Sequence, residues 1–385
     1  MNRFEFATAG RIIFGEGAVG EVPSIVRDVG RRSLVVTGRS PTRAARLFGE
    51  LLDSGVEYVT FSVSGEPTTD IVCQGSELAR ESGCDVVIAI GGGSVLDAGK
   101  AIAALLTNGC QPYEFLEVVG KGKPLERPPA PCFAIPTTAG TGAEVTRNAV
   151  LLSPEHRVKV SLRSPLMLPR LAVIDPELTH NLPPNLTAMT GLDALTQVIE
   201  PFVSNHANPI TDGFCREGLL RASRALLRAY RNGDDVEARS DMALTGLLGG
   251  LALANARLGA VHGFASVIGG MFSVPHGAAC ARLLPHVMAV NVRALRKREP
   301  RNEALHRYDE IARLVTGRDS AMAEDGVAWV DSLVGELDVP PLSVYGISEC
   351  DFPVLVQRAQ VASSMKGNPL RLTVEELKEV LIRSL

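Results

Sequence analysis

With 385 residues, 45% of them hydrophobic and 21% charged, the chain exceeds what one core usually supports and is too apolar to be disordered, so two packed domains are expected. A formal net charge of −4 argues against nucleic acid as a partner, and the one basic run, Arg293–Arg301, reads as a solvated helix end. No apolar run reaches the length of a membrane span, and the first ten residues lack the apolar core of a signal peptide; a cytoplasmic chain that enters no membrane is expected.

Phe4–Gly15 predicts a hairpin or an edge strand ending in a glycine turn. Ser33–Thr37 predicts a buried strand, followed by Gly38-Arg39-Ser40-Pro41 and a helix through Leu52. Tyr58–Val63 predicts a strand, Thr69–Ser82 a helix, Val86–Ile90 a strand buried on both faces, and Cys132–Ile135 another short strand. Strands alternating with helices imply a parallel α/β sheet, whose ligands gather at the carboxyl ends of the strands. Gly38, Gly91 and Pro136 all follow strands and belong on that edge.

After Leu182-Pro183-Pro184 the apolar spacing turns helical, with helices over Thr190–Val203, Ile210–Tyr230, Asp234–Ala256, Val261–Met271 and later segments. The expected division is an α/β domain over residues 1–184 and an all-helical domain over 185–385. The seven cysteines, at 73, 84, 110, 132, 215, 280 and 350, form no CxxC pair. They fit reduced thiols, and neither a disulfide framework nor a thiolate zinc site is expected.

Three stretches carry chemistry. Gly91-Gly92-Gly93 ends the central strand, and Ser94 opens a helical segment there. Glycines let backbone N–H groups approach an oxyanion, and the helix dipole adds about half a positive charge, so this turn reads as a phosphate site. It lacks the G-x-G-x-x-G spacing, so it does not say which phosphate. The Pro136–Asn148 stretch, with Thr137, Thr138 and Thr141, is long and rich in hydroxyl and backbone donors, which suits the phosphate and ribose of a nucleotide. In the helical half, Asp193 and Gln197 lie four apart, as do His262 and Ser266, and His276 follows in a Pro-His-Gly turn. A carboxylate, an amide oxygen and two imidazoles make a plausible divalent-metal site, although Asp193 would equally serve as a pairing group and either histidine as a core residue.

With these motifs in place, GGGS with Asp97, PTTAGT at Pro136–Thr141, GLDALT at Gly191–Thr196 and Pro275-His276-Gly277, the chain resembles the iron-containing (group III) alcohol dehydrogenases along nearly its whole length, to Asn368-Pro369. The resemblance implies a Rossmann-like parallel-sheet domain plus an all-helical domain, the dehydroquinate synthase-like architecture. It implies NAD(P)-dependent interconversion of a small alcohol and its aldehyde or ketone. Gly92, Gly93 and Ser94 would hold the cofactor phosphates, and Asp97, Thr137, Thr138 and Lys159 match positions lining the nicotinamide ribose.

The family holds its metal with an Asp and three His. Asp193, His262 and His276 match, whereas Gln197 replaces the third imidazole and Ser266 replaces a histidine tied to proton transfer. Losing a nitrogen donor weakens Fe²⁺ or Zn²⁺ binding, which leaves the metal weakly held, different or absent. Gly38, Arg39 and Ser40 stand where NAD-specific relatives carry a carboxylate, which favours NADP(H) over NAD(H). The other readings are a nucleotide-binding protein without catalysis and a dehydroquinate synthase-like lyase. A homodimer is expected, with Arg11–Phe14 as a pairing edge.

Overall fold

Short β-branched runs closed by glycine or proline become the strands of a parallel sheet. In a computed structural model describing residues 3–156 and 158–385, β1 (Ile12–Phe14), β2 (Arg32–Thr37), β3 (Glu57–Ser62), β4 (Val86–Gly91), β5 (Cys132–Pro136) and β8 (Leu171–Ile174) form one six-stranded sheet. Its order is β1-β8-β5-β4-β2-β3, with every pairing parallel. β4 is buried along its whole length, as its unbroken apolar run requires of a strand covered on both faces. Helices α1 (Val22–Val29), α2 (Ala45–Asp53), α3 (Thr69–Glu81), α4 (Gly93–Asn108) and the short α5 (Pro112–Phe115) fall between strands. A two-stranded antiparallel hairpin, β6 (Asn148–Ser153) with β7 (Val158–Arg163), follows the threonine-rich loop.

The topology singles out one edge of the sheet. β2 and β4 are adjacent and parallel, but the chain leaves β2 for β3 on one side and leaves β4 for β5 on the other. A reversal of this kind opens a crevice at the carboxyl ends of the two strands, where open α/β sheets take their ligands. Gly38 follows β2 there and Gly92 follows β4.

The chain divides into two compact units. One holds Ala7–Thr138 and Gly142–His180. The other holds the N-terminal segment through Phe6, Ala139–Thr141 and Asn181–Leu385. Three residues of the threonine-rich loop thus pack with helices: a Cβ on Gly140 would lie 2.9 Å from Thr190 Cβ. The helical unit runs α6 (Pro184–Val203), α7 (Pro209–Arg231), α8 (Val236–Ala256), α9 (Ala260–Met271), α10 (His276–Arg298), α11 (Glu303–Thr316), α12 (Ala323–Glu336), α13 (Phe352–Val361) and α14 (Val374–Ser384). α6 is buried on every face from Gly191 to Val203, the mark of a central helix. No single described helix is long and apolar enough to cross a membrane. The basic run at the end of α10 is paired, with Arg293 on Glu379, Arg296 on Glu324 and Arg298 on Glu376.

Of the two readings of Phe4–Gly15 the edge strand holds: its apolar triplet Ile12–Phe14 lies at the sheet edge, parallel to β8. Two expectations are corrected. Ser94 does not open α4: Gly92 takes the N-cap and Gly93 begins the helix, because extended Gly92 carries the chain straight out of β4. Not all thiols stand apart, since Cys73 on α3 and Cys110 just after α4 are joined as a disulfide, their Cα atoms 5.4 Å apart.

Candidate functional site

The sheet unit places a glycine turn, the candidate anion cradle, at its switch point. Gly91, the last residue of β4, pairs with Pro136 of β5. A Cβ on Gly91 would lie 2.6 Å from the Val95 side chain, so only glycine lets the first turn of α4 fold back onto the strand end. The N-cap Gly92 offers no side chain to the first turn of α4. The opening amides of a helix have no carbonyl partner within it, so those of Gly93 and Ser94 suit an anionic ligand.

Around the cradle, Thr137 is buried and donates its N–H to Gly91 O at 2.9 Å, and the Thr138 side chain lies 3.7 Å from where a Gly92 Cβ would stand. Beyond β2, Gly38 O accepts from Ser62 Oγ at 3.1 Å, and Ser40 Oγ lies 2.9 Å from Thr42 Oγ1. Arg39 is exposed and makes no hydrogen bond or ion pair among the described residues. Two expected cofactor residues are engaged by the framework. Asp97 lies 3.0 Å from the buried Lys100 Nζ and accepts the Val150 N–H at 3.0 Å, and Lys159 Nζ lies 2.8 Å from Glu66 Oε1. Thr141 is half-buried and belongs to the helical unit.

The helical unit builds a second site from three helices. α6 carries Asp193, Gln197 and Glu200, each 2–4% exposed although burial of unpaired polar groups is costly. α9 brings His262, and α10 begins at His276. His262 Nε2 lies 3.3 Å and His276 Nε2 3.8 Å from Asp193 Oδ1. Cys280, one turn into α10, places Sγ 3.9 Å from His262 Nε2 and 3.6 Å from His276 Nε2. One donor atom from each of Asp193, His262, His276 and Cys280 lies within 4.8 Å of all the others.

Behind this cluster Glu200 Oε2 lies 2.7 Å from His262 Nδ1, and Oε1 accepts the Val261 N–H at 2.7 Å. Asn368 Oδ1 accepts the Ala260 N–H at 3.2 Å and so ties down the start of α9. Burial opposes charge on His262, but Cys280, Asp193 and Glu200 together hold its pKa well above the ordinary imidazole range. Cys280 first, then Asp193, raises His276 against its burial. Burial would raise Asp193, yet the two histidines hold it below its usual value.

The iron-containing family resemblance implies a divalent ion, and the cluster itself tests the fit. Asp193 Oδ1 and Gln197 Oε1 are buried without a hydrogen-bond partner, a cost that a bound cation removes for any oxygen it touches. Carboxylate and imidazole donors at this spacing suit a four-coordinate ion. The residues present fit the group. Ser266 stands apart from the cluster, its Oγ donating to Gly263 O at 3.2 Å within its own helix. Of the apolar residues nearby, Phe264 and Ile268 are fully buried core side chains, while Val267, Met271 and Phe272 remain partly exposed.

Two residues of the cluster escape sequence reasoning. Cys280 stands among the candidate donors although the sequence, lacking a CxxC pair, leads one to expect no thiolate zinc site; a cysteine four residues after a histidine shares its helix face, a signal that a search for cysteine pairs passes over. Glu200 follows Asp193 by seven residues on an otherwise apolar helix, which returns it to the same face.

Comparison with known proteins identifies the family. Residues 9–176 match the family "Iron-containing alcohol dehydrogenase", and residues 187–385 match "Fe-containing alcohol dehydrogenase family, C-terminal". The chain belongs to the iron-containing alcohol dehydrogenase family. It is 36% identical to alcohol dehydrogenase 4 of Schizosaccharomyces pombe, across 96% of this chain and 86% of that protein. It is 30% identical to the NAD-dependent methanol dehydrogenase of Bacillus methanolicus, across 97% of each. The crystal structure of a 1,3-propanediol oxidoreductase superposes with a TM-score of 0.92 at 31% identity, covering 100% of both chains.

Proposed function

We propose that this protein is a nicotinamide-dependent alcohol dehydrogenase that passes hydride between the cofactor and a small alcohol or carbonyl. The carrying observation is the four-donor cluster of Asp193, His262, His276 and Cys280, with Asp193 Oδ1 buried and unpartnered at its heart. When bound, a divalent ion supplies Lewis acidity toward the substrate oxygen, and the nicotinamide supplies the hydride acceptor or donor. Asp193, His262 and His276 hold and orient that ion, with Gln197 as a further oxygen donor. Glu200 fixes the His262 ring through Nδ1, which leaves Nε2 facing the cluster.

Gly92, Gly93 and Ser94 take the cofactor phosphates, Gly91 keeps the turn tight, and Thr137 and Thr138 line the nucleotide. Asp97 and Lys159 shape this region through their framework contacts. Ser266, its hydroxyl proton donated to Gly263 O, takes no step in this reading. The partly exposed Val267, Met271 and Phe272 favour a small or moderately apolar substrate.

The finer reading is a preference for NADP(H). Gly38-Arg39-Ser40 places no carboxylate at the end of β2, and the exposed Arg39 guanidinium suits a 2′-phosphate. The name of the Bacillus methanolicus relative favours NAD(H), so the two dinucleotides need direct comparison. The exposed edge of β1 supports a homodimer.

The test is absorbance of reduced nicotinamide with a panel of short primary alcohols and diols, using metal-loaded protein and NAD⁺ or NADP⁺. Turnover that falls on chelation and returns with metal supports the proposal. Absence of turnover across the panel, in both directions and with both dinucleotides, overturns it.

A further inference from the structure

The geometry points to Cys280 as a ligand of the metal: its thiolate takes the coordination position that Gln197, standing in for an imidazole, leaves without a nitrogen donor. The inference rests on the reading that Asp193, His262 and His276 hold a divalent ion, and goes beyond it.

Three observations carry it. The first is spacing. A tetrahedral ion with oxygen and nitrogen ligands at about 2.0–2.2 Å and sulfur at about 2.3 Å sets its ligands roughly 3.4–3.6 Å apart. The four separations from the imidazole Nε2 atoms, 3.3 and 3.8 Å to Asp193 Oδ1 and 3.9 and 3.6 Å to Cys280 Sγ, already approach those edges. The second is position. His276 and Cys280 sit one turn apart on α10, so both reach the same point from one rigid helix. The third is Asp193 Oδ1, 2% exposed as a residue and lying beside both imidazoles without a well-formed hydrogen bond to either, a position that a shared cation would satisfy.

Coordination changes the charge and softness of the site. When the sulfur–metal bond forms, the S–H bond breaks and its proton passes to solvent. A divalent ion with the Asp193 carboxylate and one thiolate is neutral overall, whereas two imidazoles, an amide and the carboxylate would leave a net positive charge in a buried pocket. A soft thiolate also shifts preference toward zinc and cobalt and away from hard oxygen-seeking ions. The loss of one imidazole and the presence of one thiol thus compensate each other.

The experiment is a titration of the metal-stripped full chain with Co²⁺ alone, followed by ultraviolet–visible absorption, together with competition for Zn²⁺ against a chelating dye. The wild type should develop a thiolate-to-cobalt charge-transfer band in the near ultraviolet. Cys280→Ser, nearly isosteric, should lose that band and weaken Zn²⁺ binding by about 100-fold or more, the upper end of what even outer-shell changes cost. Gln197→Ala should keep the band. Cobalt bands without a sulfur contribution, a band that persists in Cys280→Ser, or unchanged zinc affinity in that variant would each overturn the assignment of Cys280 alone. A chain that takes up no cobalt overturns both this assignment and the metal reading beneath it.

Discussion

Glu200 Oε2 and His262 Nδ1 lie 2.7 Å apart, on the side of the imidazole turned away from Asp193. One carboxylate thereby fixes both the ring and, through the Val261 N–H, the first turn of α9. Glu200→Gln keeps an acceptor of the same size but removes its charge. Metal affinity should fall about 10–100-fold, as for other outer-shell partners of a metal-bound histidine, with little change in fold. Competition with a chelating dye reads the effect; unchanged affinity would count against the role given to Glu200.

The cofactor cradle depends on one close approach. Gly91→Ala puts a methyl group about where the Val95 side chain stands, 2.6 Å away, and the start of α4 must shift to admit it. Overpacking of this kind costs about 1–3 kcal/mol. Thermal unfolding should show that loss, and KM for the dinucleotide should rise with it. An unaltered KM would place the cofactor elsewhere.

Arg39 tests the choice of dinucleotide. A charge-assisted contact to a 2′-phosphate contributes roughly 1.5–3 kcal/mol, or about 10–100-fold in kcat/KM. Arg39→Asp should lower kcat/KM for NADP⁺ by that factor and leave NAD⁺ nearly unaffected. Equal losses with both dinucleotides would refute the preference.

Glu144 makes the sheet unit sensitive to pH. Burial, opposed by a backbone hydrogen bond and the Lys100 charge, pushes its carboxyl up to about 7 from an ordinary 4.5. A pKa raised in the folded state gives stability that is complete below the ordinary value and lost as pH climbs through about 7. The full effect is on the order of 3 kcal/mol. Melting temperature should fall between pH 5 and about 8 in the wild type, and Glu144→Gln should flatten that fall. Parallel curves would show that Glu144 ionises without consequence.

Much of this could be read from the chain, for physical reasons. β2, β4 and β5 are apolar runs closed by glycine or proline, and α6 to α9 keep helical spacing for many turns, so their existence follows from pattern. β8 escapes because its four residues, Leu171–Ile174, lie in a proline-rich stretch that reads as loop. The β6–β7 hairpin escapes because the hydroxyl-rich residues before it draw the eye to ligand chemistry. Asp193, His262 and His276 stand out as polar groups on apolar helices. Cys280 and Glu200 carry only a spacing signal, four residues after His276 and seven after Asp193. A lone cysteine passes for core, and a glutamate near a helix end passes for surface, until folding brings both to one imidazole.

The central claim, that Asp193, His262 and His276 share a single divalent ion, is tested most directly by anomalous diffraction from crystals soaked in zinc. The account predicts one strong peak about 2.0–2.2 Å from Asp193 Oδ1 and from Nε2 of both histidines. No peak at that point, with zinc found only on exposed carboxylates, would contradict it.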